Sequence, residues 1–221
     1  MAKGPATEPR RLTPKGEATR ARIIELASDM FASEGYGAAS IRDLADRSGL
    51  SSGAIYGTFR SKAELLAEAV DALIASDEAS LPSSVIEQMS LPDIDAYQYE
   101  NVTKRDRFRA LLLEAAVAAR TDPDVQERLN DAVTPHIEMA TDAHEEWKER
   151  AGVDRELDMR ALVMLLWSAD LGLAVLDAMG FDRPDPHTWA ELMRRLLKAL
   201  ETPGAEPGAP SPRPTKRRRA R

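Results

Sequence analysis

Apolar residues recur at helical spacing along most of the chain, and this pattern predicts helices almost throughout. Residues 15–33 form the first predicted helix, which ends at Gly35. Its apolar face holds Ile23, Ile24, Ala27, Met30 and Phe31. No stretch of the sequence alternates as a strand would, so the pattern favours an all-α fold.

Three serines predict where the next three helices begin. Ser40, Ser51 and Ser61 each precede a short apolar pattern, and a serine hydroxyl there can accept a free backbone N–H. Gly49 supplies the turn between the second and third helices. Two short helices joined by a glycine turn predict a helix-turn-helix, whose second helix enters the DNA major groove.

The pattern weakens over residues 77–103, where a short helix at 83–89 is one interpretation. Helices are predicted again over residues 105–120 and 122–150, and Pro135 should bend or split the second of these. Segment 157–179 is apolar nearly all round, so we expect it to be buried or to lie in an interface. An amphipathic helix over 186–200 closes the chain.

These elements divide the chain into four parts. Residues 1–14 and 203–221 are predicted to be disordered tails, the second of them basic. Residues 15–60 form a three-helix DNA-binding head. Residues 61–202 form a helical bundle. We call these two units the head and the body.

Charge is distributed unevenly along the chain. The net charge is −7, yet residues 1–62 carry ten Lys and Arg against seven Asp and Glu. Residues 76–202 carry 14 basic against 26 acidic residues, and the last 19 residues carry six against one. An acidic body is repelled by DNA, so the head should face the phosphates. The basic tail is either a tether to DNA or a solvated run of charge.

Composition excludes several classes of protein. There are no cysteines, which rules out disulfides, thiolate metal sites and cysteine nucleophiles. The N-terminus is polar and does not resemble a signal peptide. The apolar segment 161–176 is interrupted by Asp170 and falls short of the ~18–20 residues that span a bilayer. We therefore expect a cytoplasmic protein with no membrane partner.

The residues predict no enzyme, metal site or cofactor. No nucleophile–base pair or phosphate-binding loop is evident. His136 and His144 lie near one face of a helix, but no carboxylate stands at the spacing of a metal site. Residues 144–148 also lack the second histidine of the zinc-protease motif.

Residues 19–66 resemble the TetR/AcrR family of one-component transcriptional regulators. Many positions agree at fixed spacing, which makes the resemblance specific. They are Ile24, Ala27, Phe31, Gly35, Tyr36, Ser40, Ile41, Leu44, Ala45, Gly49, Leu50, Ser51, Gly53, Ile55, Tyr56, Phe59, Lys62, Leu65 and Leu66. The resemblance implies a homodimer on a palindromic operator, usually a repressor, with a ligand cavity in each body.

The resemblance also assigns DNA contacts. Residues 51–57 match the recognition helix; Ser40, Tyr56 and Lys62 match phosphate contacts, and Ser52, Ala54 and Gly57 match positions that face base edges. Lys, Thr and His are frequent at those last three positions, so this helix is unusually small and uncharged. Arg42 and Arg60 flank it and can compensate. The candidate DNA-binding residues are Ser40, Arg42, Ser51, Ser52, Gly53, Ala54, Tyr56, Gly57, Arg60 and Lys62.

The body offers weaker candidates for an effector site. The candidate ligand-binding residues are Met89, Phe108, Leu112, Met139, Trp167 and Asp170, most of which could equally be core. Asp170 could face a ligand, pair with an arginine across the dimer seam or lie on the exposed helix edge, and the edge is favoured. The seam is predicted to use residues 157–179 and 186–200 as a four-helix bundle with their symmetry mates.

The expected function is therefore a ligand-responsive repressor whose partners are operator DNA, a second copy of the chain and a small, largely apolar effector. A ligand would shift the fourth helix and change the separation of the two heads. The alternative is an effector-independent DNA-binding regulator, or an activator, without a ligand cavity.

Overall fold

The structure, a computed structural model, describes residues 13–78, 89–100 and 106–201. Within these ranges the chain forms nine helices and no strand, which confirms the all-α prediction. The basic tail and nearly all of the helix predicted over 83–89 lie outside the described residues, as do residues 1–12 of the N-terminal tail.

The helices follow the predicted order with one addition. They are α1 (Pro14–Glu34), α2 (Ile41–Ser48), α3 (Ser52–Tyr56), α4 (Lys62–Glu78), α5 (Leu91–Glu100), α6 (Asp106–Ala119), α7 (Pro123–Ala151), α8 (Met159–Ala178) and α9 (Pro186–Lys198).

The serine caps of α2, α3 and α4 are confirmed. The hydroxyls of Ser40, Ser51 and Ser61 accept N–H groups three residues ahead, at 3.1, 3.2 and 3.0 Å. Gly49 ends α2 in the left-handed conformation with φ +71°, which side chains rarely adopt. The turn between α2 and α3 is therefore set by local chemistry.

One apolar core joins the head to the body. It buries Ile23, Ala27 and Phe31 of α1 together with Leu65, Leu66 and Val70 of α4, and Leu111 of α6. A second cluster packs α5 and α8 against α9, and a third joins the end of α7 to the start of α8. The head consequently rests directly on α4 and α6.

In the middle of the chain, Pro135 does not split its helix, and the weakly patterned region contains an additional helix. Helix α7 runs unbroken through Pro135, which is exposed, so water can replace the hydrogen bond that the proline ring removes. The weakly patterned region contains α5. Pro92 does not interrupt α5, because the first-turn N–H groups of a helix lack helical partners in any case.

Among the described residues, α8 alone is long and apolar enough to cross a membrane, judged by length and composition. Its 20 residues extend the apolar segment 161–176 at both ends. A helix that packs in a soluble protein passes the same test. Met164, Leu165, Val175 and Leu176 of α8 are exposed, which leaves a long apolar surface uncovered.

Candidate DNA-binding surface and effector cleft

The recognition helix is held by its inner side. Ile55 is fully buried and packs in the core with Leu44 and Phe59. Gly53, Ala54 and Gly57 are exposed, and Tyr56 is 54% exposed. Ser52 is half-buried, on the side of the helix that turns towards the core. Four of the candidate DNA contacts therefore lie on the outer surface of the helix-turn-helix.

Ser40 and Ser51 serve as helix caps in the free protein. Besides accepting the Asp43 N–H, the Ser40 hydroxyl donates to the Asp43 carboxylate at 2.6 Å. Ser51 accepts the N–H of Ala54. Both residues hold the helix starts in place, and their predicted contacts with DNA remain predictions.

Cationic side chains flank the recognition helix. Arg42 on α2 and Arg60 before α4 are exposed. Lys62 is half-buried; its ammonium group donates to the Tyr36 carbonyl oxygen and lies 4.3 Å from the centre of the Tyr36 ring. This burial lowers the pKa of Lys62. Tyr36 thus positions a predicted phosphate contact, a role that sequence reasoning missed.

Helix α6 of the body contacts the head near Tyr36. The Glu114 carboxylate accepts the Tyr36 N–H at 2.9 Å. Arg107 donates to the Glu25 carbonyl oxygen at 2.8 Å and pairs with Asp29, also at 2.8 Å. No local pattern could reveal these contacts, because their partners lie 78 and more positions apart in the chain.

The exposed-edge interpretation of Asp170 is wrong. Its side chain is only 9% exposed and forms an ion pair with Arg109 of α6, which is 5% exposed. The Arg109 Nε donates to the Asp170 carboxylate at 3.1 Å. A carboxylate in an apolar helix is costly unless it is paired, and here the arginine comes from the same chain.

Arg109 also lines a surface cleft with a cavity volume of about 10 Å³. The other lining residues are Leu173, Arg183, Pro184 and Trp189. Arg183 is held by ion pairs to Asp106 and Asp177. The walls come from α6, α8, α9 and the connection between the last two, so spacing along the chain could not indicate them.

The predicted ligand-binding residues are not gathered around this cleft. Phe108 is buried, while Leu112 and Trp167 pack partly buried against the core shared with the head. Met139 is 53% exposed and Met89 is half-buried. Asp170 reaches the cleft only through Arg109. Their role in ligand binding stays a prediction.

The two histidines of α7 connect helices. His136 Nε2 lies 2.8 Å from the Asp71 carboxylate of α4, and His144 Nε2 lies 3.3 Å from the Asp95 carboxylate of α5. In the described contacts, His136 therefore links α7 to α4, and His144 links α7 to α5. The sequence did not indicate these partners, because both carboxylates are distant along the chain.

A capped helix-turn-helix with an exposed second helix, mounted on a helical body, defines a DNA-binding transcriptional regulator. The comparisons with known proteins agree. The family model for bacterial regulatory proteins of the tetR family matches residues 23–69. The chain is 32% identical over 143 residues to the HTH-type transcriptional repressor Rv3405c of Mycobacterium tuberculosis, with 58% of this chain and 74% of that protein covered.

Two further proteins are similar to this chain. The HTH-type transcriptional repressor KstR2 of M. tuberculosis is 45% identical over 49 residues, covering 22% of this chain and 24% of that protein. A putative TetR-family regulator from Rhodococcus sp. has the same fold, with a TM-score of 0.71 at 16% identity, over 84% of this chain and 100% of that one. The chain belongs to the TetR family of transcriptional regulators and is not an enzyme.

Proposed function

We propose that this protein is a ligand-responsive repressor that binds a palindromic operator as a homodimer. The observation that carries the proposal is the exposed outer face of α3, with the exposed cations Arg42 and Arg60 before and after it in the chain. Phosphate contacts from such cations fix the register of a recognition helix in the major groove. The protein acts in the cytoplasm, where its DNA lies.

The uncovered apolar surface of α8 and α9 supports a homodimer. Leu165 is 64% exposed, and Leu196 on α9 is 54% exposed. Further exposed apolar residues of these helices are Met164, Val175, Leu176 and Leu192. Contiguous apolar patches mark interfaces, and two copies of α8 and α9 can cover each other as a four-helix bundle. The two heads would then meet half-sites about 34–36 Å apart.

The cleft beside Arg109 is the effector site that we propose, and it must widen on binding because its cavity volume of about 10 Å³ holds about one water molecule. Leu173, Pro184 and Trp189 offer apolar contacts, which suit a small, largely apolar molecule. A ligand there touches α6 and α8, and α6 contacts both α4 and the head. It can release the operator only if it binds the DNA-free spacing of the heads more tightly than the DNA-bound spacing.

Two observations favour the effector-independent alternative. Phe108, Leu112 and Trp167 are engaged in the core. The cleft has a cavity volume of about 10 Å³, far below the roughly 300–1,000 Å³ of usual ligand pockets. Screening small molecules by thermal shift separates the two functions. An effector raises the melting temperature and lowers operator affinity, whereas an effector-independent regulator shows neither change with any compound.

Genome-wide mapping of bound sites tests the proposal as a whole. We expect a palindrome, bound at physiological salt by the purified protein as a dimer in sedimentation and gel-shift measurements. The matched control is the same DNA with one half-site scrambled, which should bind much more weakly. Equal affinity for both DNAs would overturn the proposal.

A further inference from the structure

The outer face of α3 carries almost no side chain. Successive helical residues are rotated by about 100°, so Gly53, Gly57 and Ala54 fall within about 100° of one another. Ile55, which is fully buried, points the opposite way. Gly53 and Gly57 therefore form the centre of the outward face, with the Ala54 methyl group on one side of them and the Tyr56 side chain on the other.

Polar base contacts from this face are scarce. Residues 48–59 carry no charge, so α3 cannot place an arginine or lysine on guanine. The Thr58 hydroxyl donates to the Ala54 carbonyl oxygen at 3.2 Å, and the Ser51 hydroxyl caps the helix. What the face offers a base pair is a methyl group and bare backbone.

Gly53 is an independent sign that something approaches this face closely. A Cβ added at Gly53 would meet only the Ser51 hydroxyl oxygen, at 3.9 Å, which is an ordinary contact. Its φ lies outside the left-handed region, so the fold itself does not require glycine there. At Gly57, by contrast, an added Cβ would lie 3.3 Å from the Gly53 carbonyl oxygen. Glycine at position 53 therefore leaves room for a partner.

We propose that Ala54 is a specificity-determining residue that packs against the C5-methyl group of a thymine in the major groove. Gly53 allows the backbone to come close enough for that contact. Alanine is suited to a thymine methyl, and this readout needs no charged side chain. The inference rests on the proposed function, because it requires a sequence-specific operator.

The test replaces each thymine of the mapped operator in turn with deoxyuridine, which removes only the C5-methyl group. For the native protein we expect one thymine per half-site to matter, with binding weakened about fourfold per half-site and about 15-fold when both are changed. Deoxyuridine at the remaining thymines should leave the affinity nearly unchanged. The Ala54→Gly variant should bind the unmodified operator more weakly and be indifferent to deoxyuridine at that position.

Two further variants keep the test decisive. Gly53→Ala should retain or raise the melting temperature, because alanine favours the helix, yet lower operator affinity at least about tenfold. Lys62→Met should lose affinity equally on thymine and deoxyuridine DNA. Unchanged non-specific binding at low salt reports that the head of Ala54→Gly is folded.

The outcomes separate the two proposals. Absence of any sequence-specific site overturns the proposed function itself. A mapped operator on which every deoxyuridine is silent, or on which Ala54→Gly stays equally sensitive, overturns this inference alone. The last measurement uses operators in which 5-methylcytosine replaces cytosine. If the added methyl group raises affinity while the removal of each thymine methyl group leaves affinity unchanged, the assignment to thymine is also overturned.

Discussion

The head and the body are organised by contacts of different range. In the head, the caps of α2 and α3 each join residues three positions apart. In the body, Arg109 pairs with Asp170 across 61 positions and Arg194 pairs with Asp93 across 101. The head is therefore determined by short segments of sequence, whereas the body depends on which distant segments meet.

The two units also differ in where they place charge. The outer face of α3 is uncharged and nearly free of side chains, while its cations stand at the flanks. The body keeps a buried ion pair inside its most apolar helix and leaves leucines exposed on the same helix. The candidate DNA contacts of the head lie on its surface, whereas the buried ion pair of the body lies between two helices.

The largest expected effect comes from breaking the buried pair of the body. Asp170→Ala leaves Arg109 charged and buried, which should lower the free energy of unfolding by about 3–5 kcal/mol. The combined change Arg109→Met with Asp170→Leu should recover most of that loss. Urea unfolding measures both. A loss below about 1 kcal/mol for Asp170→Ala would mean that the body does not hold this charge out of water.

The next effect concerns the apolar surface of α8. Leu165→Glu should weaken dimerisation by about 100-fold or more, because the carboxylate would be buried in both copies of a symmetric seam. Operator affinity should fall with it, since one head alone covers half the site. Val117→Glu on α6 is the control: Val117 is similarly exposed, at 57%, but lies outside α8 and α9. Sedimentation velocity distinguishes them, and equal behaviour of both variants would exclude this seam.

A smaller effect is expected from the phosphate contacts of the head. Tyr56→Phe should weaken binding several-fold on every DNA sequence. Lys62→Met should do the same and lower the slope of log affinity against log salt by about 1 for each lost contact. Arg155→Met, an exposed cation of the body, should change neither quantity. A loss confined to particular base sequences would show that these residues read bases.

The smallest effect addresses the junction between the two units. Glu114→Gln weakens the charge-assisted hydrogen bond from the Tyr36 N–H, so stability should fall by about 1 kcal/mol. Operator affinity should fall about two- to threefold, because Tyr36 positions Lys62. Glu127→Gln, exposed on α7, is the matched control. If the two variants behave alike, α6 does not influence the head.

Sequence patterns succeeded where structure depends on near neighbours. The starts of α2, α3 and α4 follow from single serines, and the burial of Ile55 and Phe59 follows from helical spacing. They left open whether Pro135 bends or splits its helix, and the helix is not split there. They failed at Asp170, since nothing near it in the chain reveals Arg109.

By itself, the sequence determined that this protein is helical and carries a DNA-binding helix-turn-helix. Caps, glycine turns and apolar spacing act within a few residues, and their energies are decided locally. The tertiary structure alone decided that Asp170 is buried against Arg109, that Glu114 and Lys62 hold Tyr36 from two sides, and that α8 leaves an apolar surface open. Those features depend on distant segments meeting in a shared core, where packing and the cost of burying charge select the partners.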